Sequence, residues 1–225
     1  MPLLELVRIQ IEAACQRAGR APDEVTLVGA SKTRPAPELS LYARRGLRDF
    51  GENYVQEGVE KVRFFREHEL DATWHFIGAL QSNKAREAVA HFDVIQSVDR
   101  VSLARELSKE AGKIGKTQRA LLQVNLGDEE SKAGCSIHEL RALLEECEKL
   151  EHLQIEGLMS LPPFREDPEE SRVYHRQLRE LRDQLRTAHC PLCTLSMGMS
   201  RDFQVAIEEG ATLVRVGTSL FGARG

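Results

Sequence analysis

The chain has 225 residues, of which 41% are hydrophobic, and its formal net charge is −4 at pH 7. A mildly acidic chain has no electrostatic reason to bind nucleic acid or anionic membranes, and no apolar run approaches the roughly 20 residues of a transmembrane helix. Since no signal-peptide core is found, the chain is expected to be cytoplasmic and its five cysteines to be free thiols.

Short apolar runs alternate with longer amphipathic runs along the whole chain. The first amphipathic run, Leu3–Ala18, is predicted to be a helix because its apolar residues fall on one stripe. The apolar runs are predicted to be strands: Val25–Ser31, Asp49–Gly51, Thr73–Gly78, Val94–Ser97, Ala120–Asn125, Ile155–Leu161, Thr194–Met197 and Thr212–Gly217. The runs between them are predicted to be helices: Pro37–Gly46, Val55–Glu67, Ser82–His91, Val101–Ile114, Ile137–Leu150, Glu169–Ala188 and Arg201–Glu209.

This strand-then-helix repetition predicts a parallel sheet, because each strand must be reached by a crossover connection. The number of strands favours a closed (β/α)8 TIM barrel, formed as a single domain by residues 1–225. An open doubly wound sheet is the alternative, but no G-x-G-x-x-G follows the first strand. Only Ser219–Gly225 follow the last strand, so the helix at Leu3–Ala18 is expected to cover the place of a missing eighth helix.

Lys32 directly follows the first predicted strand, where the strand gives way to a loop, and a lysine at the end of such an apolar run is unusual. The carboxyl ends of barrel strands form the edge where ligands bind, and a partly desolvated lysine there is able to form a Schiff base with an aldehyde. A lysine whose tip simply reaches solvent is the ordinary alternative.

Two loops suited to phosphate follow the seventh and eighth strands. They contain Gly198-Met199-Ser200 and Gly217-Thr218-Ser219. Ser200 is expected to cap the helix that follows it, whose N–H groups would attract an anion. Barrels often bind phosphate at these two loops, so the pair favours a phosphate ligand over ordinary turn formation.

Several polar residues in or beside apolar strands also need partners. Arg215 lies between two valines, and either a buried carboxylate or a ligand atom, such as a pyridine nitrogen kept unprotonated, would satisfy it. His75 is more simply a hydrogen-bonded core histidine than a base. Asn53 would cap the next helix or bind a ligand. No metal is expected, and the sequence assigns no role to Lys84 or Lys132.

Seven segments of the chain match one known pattern. They are Ser31–Thr33, Phe50–Glu57, Trp74–Gly78, Leu80–Lys84, Gly157–Met159, Leu195–Ser200 and Val214–Thr218. Together they resemble the pyridoxal phosphate homeostasis proteins, which are single-domain relatives of the alanine racemase barrel. The resemblance implies a barrel that holds pyridoxal 5'-phosphate (PLP).

The resemblance also implies roles for individual residues. Lys32 matches the lysine that forms a Schiff base with PLP, and Arg215 matches the arginine that faces the pyridine nitrogen. The phosphate-binding positions match Ser200, Gly217 and Thr218. The other positions lining the cofactor pocket match Asn53, His75, Ser196 and Met197.

The implied function is intracellular PLP homeostasis by a cofactor carrier without a clear turnover reaction. PLP-dependent apo-enzymes are candidate recipients, and a monomer is favoured. A weakly active amino-acid racemase is the alternative, but alanine racemases add a β domain that supplies a tyrosine base, and this chain ends directly after its last predicted strand. A Schiff-base aldolase without cofactor would explain Lys32 and leave Arg215 unexplained.

Overall fold

A computed structural model describes residues 2–127 and 133–222 of the chain. In these ranges, eight parallel strands form a closed barrel in sequence order, and β8 pairs with β1. The strands are β1 (Thr26–Ala30), β2 (Asp49–Glu52), β3 (Thr73–Phe76), β4 (Val94–Val98), β5 (Gln118–Val124), β6 (Leu153–Ser160), β7 (Thr194–Met199) and β8 (Leu213–Val216). The predicted (β/α)8 barrel is confirmed.

Helices connect the strands and surround the barrel. They are α1 (Pro2–Arg17), α2 (Ala36–Ala43), α3 (Val55–Glu67), α4 (Ala85–His91), α5 (Val101–Lys113), α6 (Ile137–Cys147), α7 (Arg172–Leu185), α8 (Phe203–Glu208) and α9 (Thr218–Phe221). Most predicted bounds agree to within a few residues. The largest differences are at α7, which a separate 3-10 turn precedes, and at α9, a single turn that the sequence did not predict.

The N-terminal helix α1 packs against α8 and α9, at the place where it was expected to cover for a missing eighth helix, although the single turn α9 does follow β8. Its apolar stripe, which includes Leu4, Val7 and Ile11, is buried. Arg17 pairs with Glu208 of α8 at 2.6 Å, which attaches the last turn of α1 to the outer helical layer. No helix of the described residues has the length and apolar character needed to cross a membrane.

Side chains alternate between the two faces of each strand, so the barrel has one buried layer outside it, against the helices, and another inside it. Outward-facing residues such as Phe50, Leu195 and Val214 form the large core between the barrel and its helices. Inside the barrel, a small apolar cluster of Val94, Leu121 and Met159 fills part of the space. Barrel interiors usually hold branched apolar side chains, so the buried polar residues that occupy the rest of this interior require an explanation.

The pairing of β1 with β8 brings two functional loops together. Gly29 pairs with Val216, so the turn that follows β1 and carries Lys32 lies beside the loop that begins at Gly217. Both loops are at the carboxyl edge of the barrel, where barrel ligands bind.

Candidate functional site

A cavity of about 580 Å³ opens at the carboxyl end of the barrel. This size suits a small cofactor, since ligand pockets span about 300–1,000 Å³. Of the residues expected to bind a ligand, this cavity is lined by Lys32, Asn53, Ser200, Arg215, Gly217 and Thr218. These residues follow β1, β2, β7 and β8 or belong to β8, and the structure brings them together at one edge of the barrel.

Lys32 lies in a tight turn just after β1, at the expected transition from strand to loop. β1 ends at Ala30, and the Arg34 N–H donates to the Ser31 carbonyl at 3.0 Å, so Lys32 and Thr33 are the central residues of the turn. Thr33 has a left-handed φ of 67°, which is rare for a β-branched residue. Lys32 is half-buried and lines the cavity.

The two loops expected to hold phosphate converge on one oxygen atom. Ser200 Oγ accepts hydrogen bonds from the N–H groups of Gly217 at 3.1 Å and Ser219 at 3.3 Å. In return, the Ser219 hydroxyl donates to the Ser200 carbonyl at 3.1 Å. Ser200 therefore links the loop after β7 to the loop after β8.

The prediction that Ser200 caps the next helix is wrong. β7 continues to Met199, and α8 begins only at Phe203, so Asp202 is the residue before the helix. Gly198 lies within β7, next to its last residue; it has a φ of +90°, and a Cβ there would lie 2.6 Å from the Cβ of Ala206. The Ser200 hydroxyl therefore contacts the loop after β8 instead of the helix.

Asp202 stabilises the turn between β7 and α8. Its carboxylate accepts the Met199 N–H at 2.7 Å and the Nε2–H of His175 at 3.0 Å, and both His175 and Asp202 are buried. Burial by itself would raise the pKa of Asp202, but the hydrogen bond and charge of His175, the Met199 N–H and the charge of Arg215 hold the pKa below its usual value. Asp202 therefore acts as an anion near a ligand site that is otherwise cationic.

Arg215 is buried inside the barrel and lines the cavity. Its guanidinium donates to the Ser196 hydroxyl and to the Ser160 carbonyl, the latter at 2.7 Å. Among the described residues it forms no salt bridge, so the buried carboxylate that could have satisfied it is not in contact. Burial lowers the pKa of Arg215 to about 10, and Asp202 opposes that shift, so the guanidinium stays charged at neutral pH.

A chain of hydrogen bonds extends from Arg215 through the barrel. The Ser196 hydroxyl donates to Gln96 Oε1 at 2.6 Å, and Gln96 Nε2 lies 2.9 Å from His75 Nδ1. His75 Nε2 in turn lies 2.9 Å from a carboxylate oxygen of Asp49. Because the carboxylate only accepts, His75 carries its proton on Nε2, and every bond in the chain points from the cation to the anion.

Three residues expected to line the cofactor pocket lie elsewhere. Ser196 does not line the cavity; it accepts a hydrogen bond from Arg215, which does. His75 lies in the amino-terminal half of the barrel interior. It therefore lines a second cavity, at the amino end of the barrel, together with Asp49. Met197 faces outward into the core between barrel and helices, because side chains alternate along β7.

Asn53 lines the cavity and does not cap a helix, because α3 begins at Val55 and Tyr54 takes the capping position. Its backbone packs tightly against the next loop: a Cβ at Gly78 would lie 2.2 Å from the Asn53 carbonyl oxygen. Gly78 is thus required for the loops after β2 and β3 to meet at the cavity wall. Lys84 lies in a 3-10 turn near Glu87, and Lys132 is outside the described residues.

A buried polar cluster beneath the turn of Lys32 was not predicted from the sequence. Lys61 of α3 donates to Glu52 at 2.7 Å and to Glu57 at 2.6 Å. Lys61 was assigned to an amphipathic helix, where a charged residue is expected to face solvent. Gln96 and Asp202 were missed as well, since only the folded barrel brings them to Ser196 and Met199. No group of His, Cys, Asp and Glu suited to a metal ion occurs among the described residues.

Comparisons with known proteins agree on one family. Residues 7–225 match the alanine racemase N-terminal domain family. The pyridoxal phosphate homeostasis protein of Aquifex aeolicus is 46% identical over 222 residues, which cover 98% of this chain and 96% of that protein. The protein of the same name from Escherichia coli strain K12 is 41% identical, with coverage of 98% and 95%.

Solved structures resemble the chain over nearly its whole length. PipY of Synechococcus elongatus PCC7942, crystallised with PLP bound, has a TM-score of 0.82 and 40% identity, and the match covers 95% of this chain and 100% of PipY. An alanine racemase of Clostridium difficile has a TM-score of 0.77 at 14% identity and is matched over 57% of its length, which shows a shared barrel fold.

Proposed function

The chain belongs to the pyridoxal phosphate homeostasis protein family, and from this premise we propose that it binds PLP at the carboxyl end of its barrel and serves the intracellular homeostasis of that cofactor. The observation that carries the proposal is that three kinds of functional group line one cavity. Lys32 offers a primary amine, Arg215 offers a buried guanidinium, and the loops that meet at Ser200 offer hydroxyl donors.

These residues fit the cofactor. PLP supplies an aldehyde that condenses with a primary amine, with loss of water, and a phosphate group that needs hydrogen-bond donors. Lys32 would supply the amine. The N–H groups of Gly217 and Ser219 hold Ser200 Oγ in place, so the hydroxyl proton of Ser200 would be free to donate to a phosphate oxygen. The hydroxyl of Thr218 would add a second donor.

Arg215 would orient the pyridine ring. A guanidinium has five N–H donors, and the bonds to Ser196 and Ser160 use two of them, which leaves others for a ligand acceptor. A permanent cation beside the ring nitrogen disfavours its protonation. An unprotonated ring stabilises a carbanion poorly, so this placement favours holding the cofactor over chemistry on a bound amino acid.

The racemase alternative lacks a second acid or base. A racemase needs one such group on each face of the substrate carbon. No tyrosine lines the cavity in the described part of the chain. Tyr42 donates to the Leu220 carbonyl, and Tyr174 pairs with Arg165. Asp202, the one carboxylate among the described lining residues, is engaged by His175 and Met199.

Finer parts of the proposal have separate support. We propose that residues 1–225 act as one PLP-binding domain, since the site combines loops from β1, β2, β7 and β8. A cytoplasmic location is supported by five cysteines that are all free. We keep the expectations that the protein is a monomer and that PLP-dependent apo-enzymes receive the cofactor. His75 and Ser196 would act on PLP only through Arg215.

A titration with PLP tests the proposed function. Wild-type protein should develop a saturable visible absorption band, and Lys32→Ala should not, while its circular dichroism and melting temperature stay close to those of the wild type. Lys84→Ala is the matched control, because Lys84 follows another strand end but does not line the cavity. Equal bands in Lys32→Ala and the wild type would contradict the proposal.

A further inference from the structure

The turn that presents Lys32 adopts a conformation that its own sequence disfavours. Thr33 has a φ of 67° at the third position of the turn, where glycine or asparagine is usual. A β-branched residue reaches this region at an energetic cost and stays there only when its surroundings hold it. The question is therefore what holds Thr33, and whether Lys32 depends on it.

Beneath the turn lies a buried cluster of Lys61, Glu52 and Glu57. Lys61 is 4% exposed, and its three ammonium protons have three acceptors: the Ser31 carbonyl at 2.7 Å, Glu52 Oε1 at 2.7 Å and Glu57 Oε1 at 2.6 Å. A lysine is almost never buried to this extent unless it is paired. The cluster therefore has one fixed arrangement.

The cluster binds the backbone on both sides of Lys32. Before Lys32, Lys61 holds the Ser31 carbonyl, and the Ser31 hydroxyl donates to Glu52 Oε1 at 2.5 Å. After Lys32, the N–H of Thr33 donates to Glu57 Oε1 at 2.5 Å. Among the described residues, Lys32 itself forms no hydrogen bond or ion pair. The cluster thus fixes the turn and leaves the amine of Lys32 available to the cavity.

Burying the charged groups of this cluster costs free energy. Burial raises the pKa of the Glu52 carboxyl, and the charge of Lys61 offsets this only in part. Glu52 Oε2 is buried and has no hydrogen-bond partner among the described residues. Apolar residues of similar volume often stabilise a core at least as well as a buried ion cluster does. A role in placing the turn accounts for a cluster that stability alone does not favour.

We propose that Lys61, Glu52 and Glu57 are positioning residues for Lys32. They hold the strained turn so that the amine faces the cavity before PLP arrives, which removes the need to reorganise the turn during capture. Capture forms a C=N bond between Lys32 Nζ and the aldehyde carbon, and both protons of the neutral amine leave with the aldehyde oxygen as water. Because Lys32 must bind PLP for this role to exist, the inference rests on the proposed function.

The test separates capture of the aldehyde from binding of the rest of the cofactor. Pyridoxine 5'-phosphate has the ring and phosphate of PLP but no aldehyde, so its affinity reports the cavity without Lys32 chemistry. The rate of the absorbance change on rapid mixing with PLP reports capture. Glu57 is changed first, because it is partly exposed, whereas removal of Lys61 leaves two carboxylates without a cation and threatens folding.

We expect Glu57→Ala to slow PLP capture about 10-fold with unchanged affinity for pyridoxine 5'-phosphate. Glu57→Gln keeps an acceptor oxygen for the Thr33 N–H and should be slowed less. Glu60→Ala, at an exposed position of the same helix, is the control and should capture PLP at the wild-type rate. Thr33→Gly should restore part of the rate in Glu57→Ala, because glycine adopts a positive φ without strain.

Two results would overturn the inference alone. One is a Glu57→Ala variant that captures PLP as fast as a wild type that does capture it. The other is an equal loss of capture rate and of pyridoxine 5'-phosphate affinity, which would show general damage to the cavity. A wild-type protein that captures no PLP would instead overturn the proposed function, and the inference with it.

Discussion

Arg215 and Asp49 lie at the two ends of one hydrogen-bonded chain inside the barrel. The chain passes from the guanidinium through Ser196, Gln96 and His75 to the carboxylate, with every donor pointing toward Asp49. The cation faces the cavity at the carboxyl end, and the anion faces the cavity at the amino end. This chain explains how a polar interior is tolerated, since each buried group in it is paired.

Breaking this series of hydrogen bonds at Gln96 should destabilise the protein and leave Arg215 less firmly in place. Gln96→Leu leaves the Ser196 hydroxyl proton and His75 Nδ1 without partners, so the free energy of unfolding is expected to fall by about 1–3 kcal/mol. With Arg215 less firmly held, the absorption maximum of bound PLP should also shift. Urea unfolding and visible spectra of the purified variant measure the two effects.

Ser97→Ala is the matched control for that variant. Ser97 follows Gln96 on β4, and its buried hydroxyl has no hydrogen-bond partner among the described residues, so its removal should not lower stability. A Gln96→Leu protein as stable as Ser97→Ala, with an unchanged PLP spectrum, would show that the chain does not support Arg215.

The phosphate loops should contribute measurably to retention of PLP. Ser200→Ala removes the hydroxyl on which the N–H groups of Gly217 and Ser219 converge, and Thr218→Val removes a second donor. A hydrogen bond to a charged group contributes about 1.5–3 kcal/mol, so each variant should bind PLP about 10-fold more weakly or worse. Equilibrium dialysis gives the affinities. Ser40→Ala, far from the cavity on α2, should match the wild type, and equal retention by all four proteins would refute this role.

The thiols should differ sharply in reactivity. Burial raises the pKa of Cys135 and Cys147 to about 12, and burial with a hydrogen bond to Glu148 raises that of Cys190 to about 11. Cys193 is exposed. Because the thiolate is the reactive form, a thiol reagent at pH 8 should label Cys193 rapidly and the buried cysteines only after unfolding. Cys193→Ser should abolish the rapid phase; rapid labelling that persists in this variant would contradict the assignment.

Asp202 should make stability depend on acidity. Its folded pKa is lowered, so its contribution is fully present above the unfolded pKa of 3.8 and is lost as the pH falls through the lower folded value. Asp202→Asn should therefore reduce the free energy of unfolding by about 1.5–3 kcal/mol near neutral pH and by less in acid. Urea unfolding across pH measures this, with the exposed Asp23→Asn as control. A difference that stays constant down to the most acidic pH would argue against an ionised Asp202.

The barrel was predictable because its pattern is local. Apolar runs and amphipathic runs each have a clear period, and Val55–Glu67 was predicted with the bounds that α3 has. Residues at strand ends were also predictable as a group, because all carboxyl ends of a parallel barrel meet at one edge. That rule brought Lys32, Ser200 and Arg215 to one cavity.

Side-chain direction was not predictable to the same degree. The β7–β8 pairing shifts register between Ser196 and Met199, so the face on which Met197 lies depends on the three-dimensional pairing. Histidine is a common ligand contact, but His75 lies deep inside the barrel, where it contacts Asp49 instead of the cavity at the carboxyl end. Lys61 has the sequence context of a solvated helix face, and only the folded position of the turn after β1 shows why it is buried.

Borohydride reduction of the PLP-loaded protein, followed by peptide mass mapping, tests the central claim most directly. A reduced pyridoxyl group on the peptide that contains Lys32, at one group per chain, is the predicted result. It would place the aldehyde beside the turn after β1 and the phosphate within reach of the loops that meet at Ser200. A saturably loaded protein whose reduced group maps to another lysine, with Lys32 unmodified, would contradict the account.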